Sequence, residues 1–107
     1  MIPKKIYQIW LQGNISDKFK NNIIKNNPNY NYYFFTEADC LEYLQKTNIN
    51  LIKYFNFLNN YAHKSDLFRY WLLYNQGGIY LDIDLELKIT LDKIIEKSNN
   101  SDFISSI

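Results

Sequence analysis

Asp82 and Asp84 stand two residues apart in the run GGIYLDIDLE, residues 77–86, and Glu86 follows two further on. On a strand, residues two apart point to the same side. The three carboxylates therefore share one face, opposite Leu81, Ile83, Leu85 and Leu87. A carboxylate pair at the carboxyl end of a strand in an open α/β sheet makes a hard-oxygen site suited to Mn²⁺ or Mg²⁺. Such a cation keeps positions open for phosphate oxygens and helps a diphosphate leave. The same alternation also fits a strand with one face in water, the commoner meaning of a bare D-x-D. Just upstream, Asp66 and Arg69 lie three apart in a helical stretch, within reach of one another. A carboxylate beside a guanidinium can hold hydroxyls and phosphate oxygens, or form a surface ion pair of small energetic consequence.

These residues need elements to position them. Lys5 to Leu11 alternates well enough for a first strand, ended by Gly13-Asn14. Ser16 suits the N-cap of a helix through Asn26, and Pro28-Asn29 breaks it. Tyr30 to Phe35 is an aromatic-rich second strand. Thr36 and Asp39 resemble a capping box that opens a helix through Lys46. Residues 48–60 read as a loop and a short helix. Ser65 to Gln76 is the strongest helical stretch, with Ser65 at its start, Gly77 as C-cap, and Leu67, Tyr70, Trp71 and Tyr74 as one apolar face. Ile79 to Leu87 is the third strand, Leu91 to Glu96 a short helix, and Phe103 to Ile107 a fourth strand. The order predicts an α/β domain with a largely parallel sheet and flanking helices.

The 107 residues allow one domain, spanning 1–107, and their 47% hydrophobic and 18% aromatic content excludes a disordered chain. A net charge of +1, with lysines spread out, gives no footprint for a nucleic-acid or acidic-membrane partner. The lone Cys40 permits no internal disulfide, and the lone His63 has no second His or Cys nearby, so it reads as structural rather than as a metal ligand. No apolar run approaches the ~20 residues of a membrane span. The chain reads as soluble and cytoplasmic.

At this point the residues resemble a known family. KSDLFRYWLLYNQGGIYLDIDLE is similar to the sugar-binding region of DXD-containing glycosyltransferases, chiefly mannosyltransferases, those of inositol-phosphoceramide among them, and capsular polysaccharide transferases. More distantly it resembles the glucosylating domains of large clostridial toxins. IPKKIYQIWLQG resembles the same family's first strand. The resemblance covers about the whole chain, most loosely in its middle third. It implies a GT-A (Rossmann-like) nucleotide-sugar-binding half and a retaining, metal-dependent hexosyltransferase. The donor would be a nucleotide-diphosphate sugar carrying mannose, glucose or galactose, and the acceptor a hydroxyl of a glycan or glycolipid.

Carried over by position, the resemblance makes Asp84 the direct ligand of Mn²⁺ or Mg²⁺, and Asp82 a contact to sugar or ribose that reaches the metal through water. It makes Asp66 and Arg69 the grip on donor sugar and phosphate, and Trp10 the platform on which the base stacks. Tyr80 packs where it can touch the donor, Gly77 and Gly78 form the turn, and Glu86 solvates the strand face. Two departures stand out. Tyr7 occupies the place of a histidine in many relatives, and the chain is shorter than the family's catalytic domains. The expectation is a truncated or split donor-binding half, which leaves open a partner chain or self-association through an exposed sheet edge. The alternative to an enzyme is a non-catalytic nucleotide-sugar-binding fragment. A haloacid-dehalogenase-type phosphotransferase also uses D-x-D, but Glu86 stands where that motif wants Thr or Val.

Overall fold

A computed structural model describes residues 2–13, 15 and 17–83, and the backbone of 103–105. The expected N-cap Ser16, the carboxylates Asp84 and Glu86, and the helix at Leu91–Glu96 lie outside the described residues. The elements run β1 (Lys5–Ile9), α1 (Asp17–Asn26), β2 (Asn31–Phe35), α2 (Glu37–Thr47), α3 (Asn50–Phe57), α4 (Tyr61–Gln76), β3 (Gly78–Tyr80) and β4 (Phe103–Ser105). The four strands form one sheet in the order β2-β1-β3-β4, and every neighbouring pair is parallel. The expected α/β class with a parallel sheet is what the chain adopts.

A parallel sheet is covered on both faces, so its inner strand reads as continuously buried. Ile6 to Ile9 are all enclosed. Ile6, Ile79 and Leu81 pack with Ile23 of α1, Ile2 and Tyr30 on one face. Tyr7, Ile9, Leu11 and Tyr80 pack with Cys40, Leu44, Phe55 and Phe68 from α2, α3 and α4 on the other. The chain therefore leaves β1 over one face to reach β2, and returns over the opposite face to reach β3. This reversal puts a crevice at the carboxyl ends of β1 and β3, the place where open α/β sheets take ligands.

Local chemistry explains the element ends. The capping box of α2 is closed on both sides. Thr36 Oγ1 accepts from the Asp39 amide at 3.3 Å, and Asp39 Oδ2 accepts from the Thr36 amide at 3.0 Å. Helix α4 starts a turn earlier than Ser65, because the Asn60 side chain accepts from the amides of Ala62 (2.7 Å) and His63 (3.4 Å). Its buried stripe is also not the expected one. Phe68, Leu72 and Leu73 are buried, whereas Tyr70 and Tyr74 are 63% and 79% exposed. Leu67 and Trp71 only flank the core. Phe68 and Leu72 are four apart and wholly apolar, so they win the core over tyrosines whose hydroxyls stay hydrated. The β3 ladder is shorter than expected. It ends at Tyr80, one further bond joins the Leu81 amide to the Tyr7 carbonyl at 3.1 Å, and the chain turns at Ile83.

Gly77 caps α4, and Gly78 begins β3 with φ +111°. A Cβ on Gly78 would lie 2.8 Å from the Tyr7 ring and 2.9 Å from the Lys5 carbonyl oxygen. Gly13 has a similar φ of +106° with nothing within 4 Å. Gly13→Ala is therefore expected to cost about 1 kcal/mol of backbone strain. Gly78→Ala adds overpacking and is expected to cost about 3 kcal/mol or more. Urea unfolding of the two variants checks the ordering.

Candidate functional site

The crevice at the carboxyl ends of β1 and β3 is an open cleft of about 490 Å³. Its floor and one wall come from Ile9 to Gln12, at and just after the end of β1, with Ile15 ahead of α1 and Phe19 in its first turn. Tyr61, Ala62, Ser65, Asp66 and Arg69, from the start to the middle of α4, form the opposite wall. Tyr80, Asp82 and Ile83 close it where the chain leaves the sheet. Five of the residues singled out in the sequence thus meet here: Trp10, Asp66, Arg69, Tyr80 and Asp82. Asp84, the sixth, lies outside the described residues.

Asp66 and Arg69 form an ion pair, Oδ1 to Nη2 at 2.9 Å. The Asp66 side chain is half exposed and that of Arg69 only 15% exposed, so the pair orients more than it stabilises. The guanidinium carbon lies 5.2 Å from the ring centres of both Tyr70 and Tyr80, within cation–π range. Two rings and one carboxylate hold the guanidinium in the wall of the cleft. Burial pushes the Tyr80 phenol up to about 12, with Asp82 adding to the rise and Arg69 opposing it. At neutral pH Tyr80 is therefore a neutral hydrogen-bond donor.

Trp10 is half-buried, and its amide donates to the Phe35 carbonyl at 3.0 Å, carrying the β1–β2 pairing one step past the strand. Its indole Nε1 is buried with no hydrogen-bond partner among the described residues. Asp82 is exposed at the cleft, and its carbonyl accepts from the buried Gln8 amide at 3.2 Å. Strand alternation holds for buried Leu81 and exposed Asp82 but stops there. Ile83 lines the same cleft as Asp82, because the chain has already turned.

Tyr7 is not part of the cleft. It is buried under α2–α4, stacked on Tyr33 at 5.6 Å between ring centres. His63 lies exposed on the first turn of α4. No group of three or more His, Cys, Asp or Glu side chains that could hold a metal occurs among the described residues. Asp82 nevertheless offers an exposed carboxylate, the donor type a hard divalent cation takes alongside phosphate oxygens and water. Ser65, Tyr61, Ile15 and Phe19 also line the cleft, without a chemical motif in the sequence to mark them. Gln8 carries a signal of its own, a polar residue between Tyr7 and Ile9 on a buried strand.

Fold and cleft together define a parallel α/β protein with an acidic and aromatic crevice at its switch point. Residues 14–101 match the family model described as "Glycosyltransferase sugar-binding region containing DXD motif", and the chain belongs to this glycosyltransferase family. It is similar to inositol phosphoceramide mannosyltransferase 3 of Schizosaccharomyces pombe, 30% identical over 97 residues, covering 88% of this chain and 27% of that protein. It is also similar to the initiation-specific alpha-1,6-mannosyltransferase of Candida albicans, 29% identical over 122 residues, covering 98% of this chain and 32% of that protein. Among solved structures, the PaToxG glycosyltransferase superposes with a TM-score of 0.57 at 32% identity, over 78% of this chain and 42% of that one. The chain thus spans only about a quarter to a third of the curated relatives described.

The raised Tyr80 phenol has a consequence for stability. The folded protein keeps this proton between the ordinary value of 10.0 and about 12, where the unfolded chain releases it. Stability present below pH 10 is therefore lost as pH rises through that window. Tyr80→Phe is expected to lose a smaller fraction of its stability between about pH 9 and about pH 11, read from urea midpoints. Tyr7 and Tyr32, whose phenols burial also pushes upward, keep part of the decline in both proteins.

Proposed function

We propose that this region binds the nucleotide-diphosphate sugar donor of a retaining, metal-dependent hexosyltransferase of GT-A type. The protein that carries it would transfer mannose, glucose or galactose to a hydroxyl of a glycan or glycolipid. The observation that carries the reading is convergence. An indole, a held guanidinium–carboxylate pair and an exposed aspartate, from three separate elements, line one cleft at the switch point.

Each side chain has a physical task. Trp10 offers its ring to a base, a stack worth ~1–3 kcal/mol. Arg69, held by Asp66 and two tyrosine rings, presents N–H groups to phosphate oxygens. Asp66 accepts from sugar hydroxyls with its remaining lone pairs. Tyr80 stays protonated as a neutral donor beside them. Asp82 and Asp84 would hold Mn²⁺ or Mg²⁺. Such a cation, when bound, supplies charge neutralisation for the departing diphosphate. In a retaining reaction the acceptor hydroxyl oxygen bonds to C1 on the face the diphosphate leaves, and the hydroxyl proton passes to a diphosphate oxygen. The two mannosyltransferase relatives favour mannose among the three sugars.

Because the chain spans 27% and 32% of those relatives, donor binding is proposed for the region itself and transfer for the protein that carries it. Donor binding without turnover by the 107 residues alone is the second reading, and assays with and without a partner chain separate the two.

Thermal melts with UDP and GDP, with and without Mn²⁺, test donor binding. At ~100 times Kd a ligand stabilises by about 2.7 kcal/mol. One nucleotide should raise the melting temperature in the presence of Mn²⁺, and Asp84→Ala should abolish the rise. Arg69→Ala should weaken binding about tenfold or more, and Arg69→Lys should not restore it, since an ammonium lacks the planar fork. A cooperative melt that ignores both nucleotides contradicts the reading.

A further inference from the structure

Gln8 is the one fully enclosed polar side chain on the described strands. A buried amide is costly unless both of its ends are bonded, and both are. Nε2 donates to the Asp82 carbonyl at 3.2 Å, and Oε1 accepts from the Tyr32 hydroxyl at 2.6 Å. The orientation follows from chemistry. A main-chain carbonyl only accepts, so Nε2 must face Asp82 and Oε1 must face Tyr32, whose hydroxyl then donates. Burial pushes the Tyr32 phenol upward, which keeps that donor protonated.

The place of this bond matters. Main-chain pairing between β1 and β3 ends with the Leu81 amide on the Tyr7 carbonyl. Gln8, next along β1, reaches with its side chain the carbonyl of Asp82, two residues past the end of β3. The backbones can then diverge while Asp82 stays tethered. We propose that Gln8 is a positioning residue: its amide, oriented by Tyr32, ties the chain to β1 just past the end of the β1–β3 ladder and fixes the Asp82 main chain so that its carboxylate projects into the cleft. The inference deepens the donor-site reading, and its ligand-binding test rests on that reading.

The test uses the 107-residue chain with Gln8→Met, which keeps length and removes the donor. The double variant Gln8→Met/Tyr32→Phe also removes the stranded hydroxyl, and it serves if the single variant folds poorly. Hydrogen exchange over residues 79–83 reads the tether directly and needs no ligand. Titration calorimetry with UDP and GDP, with and without Mn²⁺, reads its consequence. Exchange near Asp82 should rise about tenfold while the β1–β2 ladder stays protected. Mn²⁺-dependent nucleotide binding should weaken about tenfold, the low end for groups that orient a metal ligand. Metal-free binding should change less than about twofold.

Unchanged exchange overturns the proposal. So does equal weakening with and without Mn²⁺, which marks general loss of packing. If the unmodified chain binds neither nucleotide, the donor-site reading falls separately, and the exchange result alone upholds or overturns the tether.

Discussion

The pairing of β1 with β3 governs the rest of this structure. It consists of the register pairs Ile6↔Ile79 and Tyr7↔Tyr80 and a single bond beyond them. This short ladder brings a strand next to β1 on the side opposite β2, and so creates the switch point. It forms only because two glycines follow α4. Gly77 ends the helix, and Gly78 lets the Tyr7 ring and the Lys5 backbone approach to distances that no Cβ allows. The same tight turn ties the end of α4 to β3, so that the helix from its start to its middle, with Asp66 and Arg69, walls the crevice.

The ladder's shortness is as useful as its existence. A longer strand would keep alternating and would hold Asp82 and Ile83 on opposite faces. By leaving the sheet after Leu81, the chain sends both toward the cleft, at the cost of main-chain hydrogen bonds that Gln8 partly replaces. The rest of the interior is apolar. Besides Gln8, only Asn27 among the described polar residues is counted as buried, and its side chain donates to the Ile23 carbonyl of α1. Charge is kept to the rim, where Asp66 and Asp82 stay hydrated and Arg69 is held against two rings. Such a site can meet a charged ligand without first breaking a buried ion pair.

How much of this the sequence disclosed depended on range. Local signals read true: the Thr36–Asp39 box, Gly77 as a C-cap, the places of the four strands and the i, i+3 spacing of Asp66 and Arg69. Family membership was legible for the same reason, since its motifs are short and contiguous. The buried stripe of α4 was misread. Leu67, Tyr70, Trp71 and Tyr74 also lie at helical spacing, but two of them carry hydroxyls that stay hydrated, and the wholly apolar Phe68, Leu72 and Leu73 take the buried side. The early start of α4 depended on Asn60, whose capping role competed with an equally plausible Ser65. Gln8 and the α1 side of the cleft depend on contacts between residues far apart in the chain, which no local pattern encodes.

The central claim is that Trp10 stands in a donor cleft shaped by α4 and the end of β3. The chain has two tryptophans. Trp71 is apart from the cleft, stacked on Tyr74 and donating to Thr47 Oγ1 at 2.9 Å. In a Trp71→Phe protein, Trp10 alone reports by fluorescence. Titration with UDP or GDP in Mn²⁺ should change its emission saturably for one nucleotide. A folded protein, by circular dichroism, whose Trp10 emission ignores both would contradict the account.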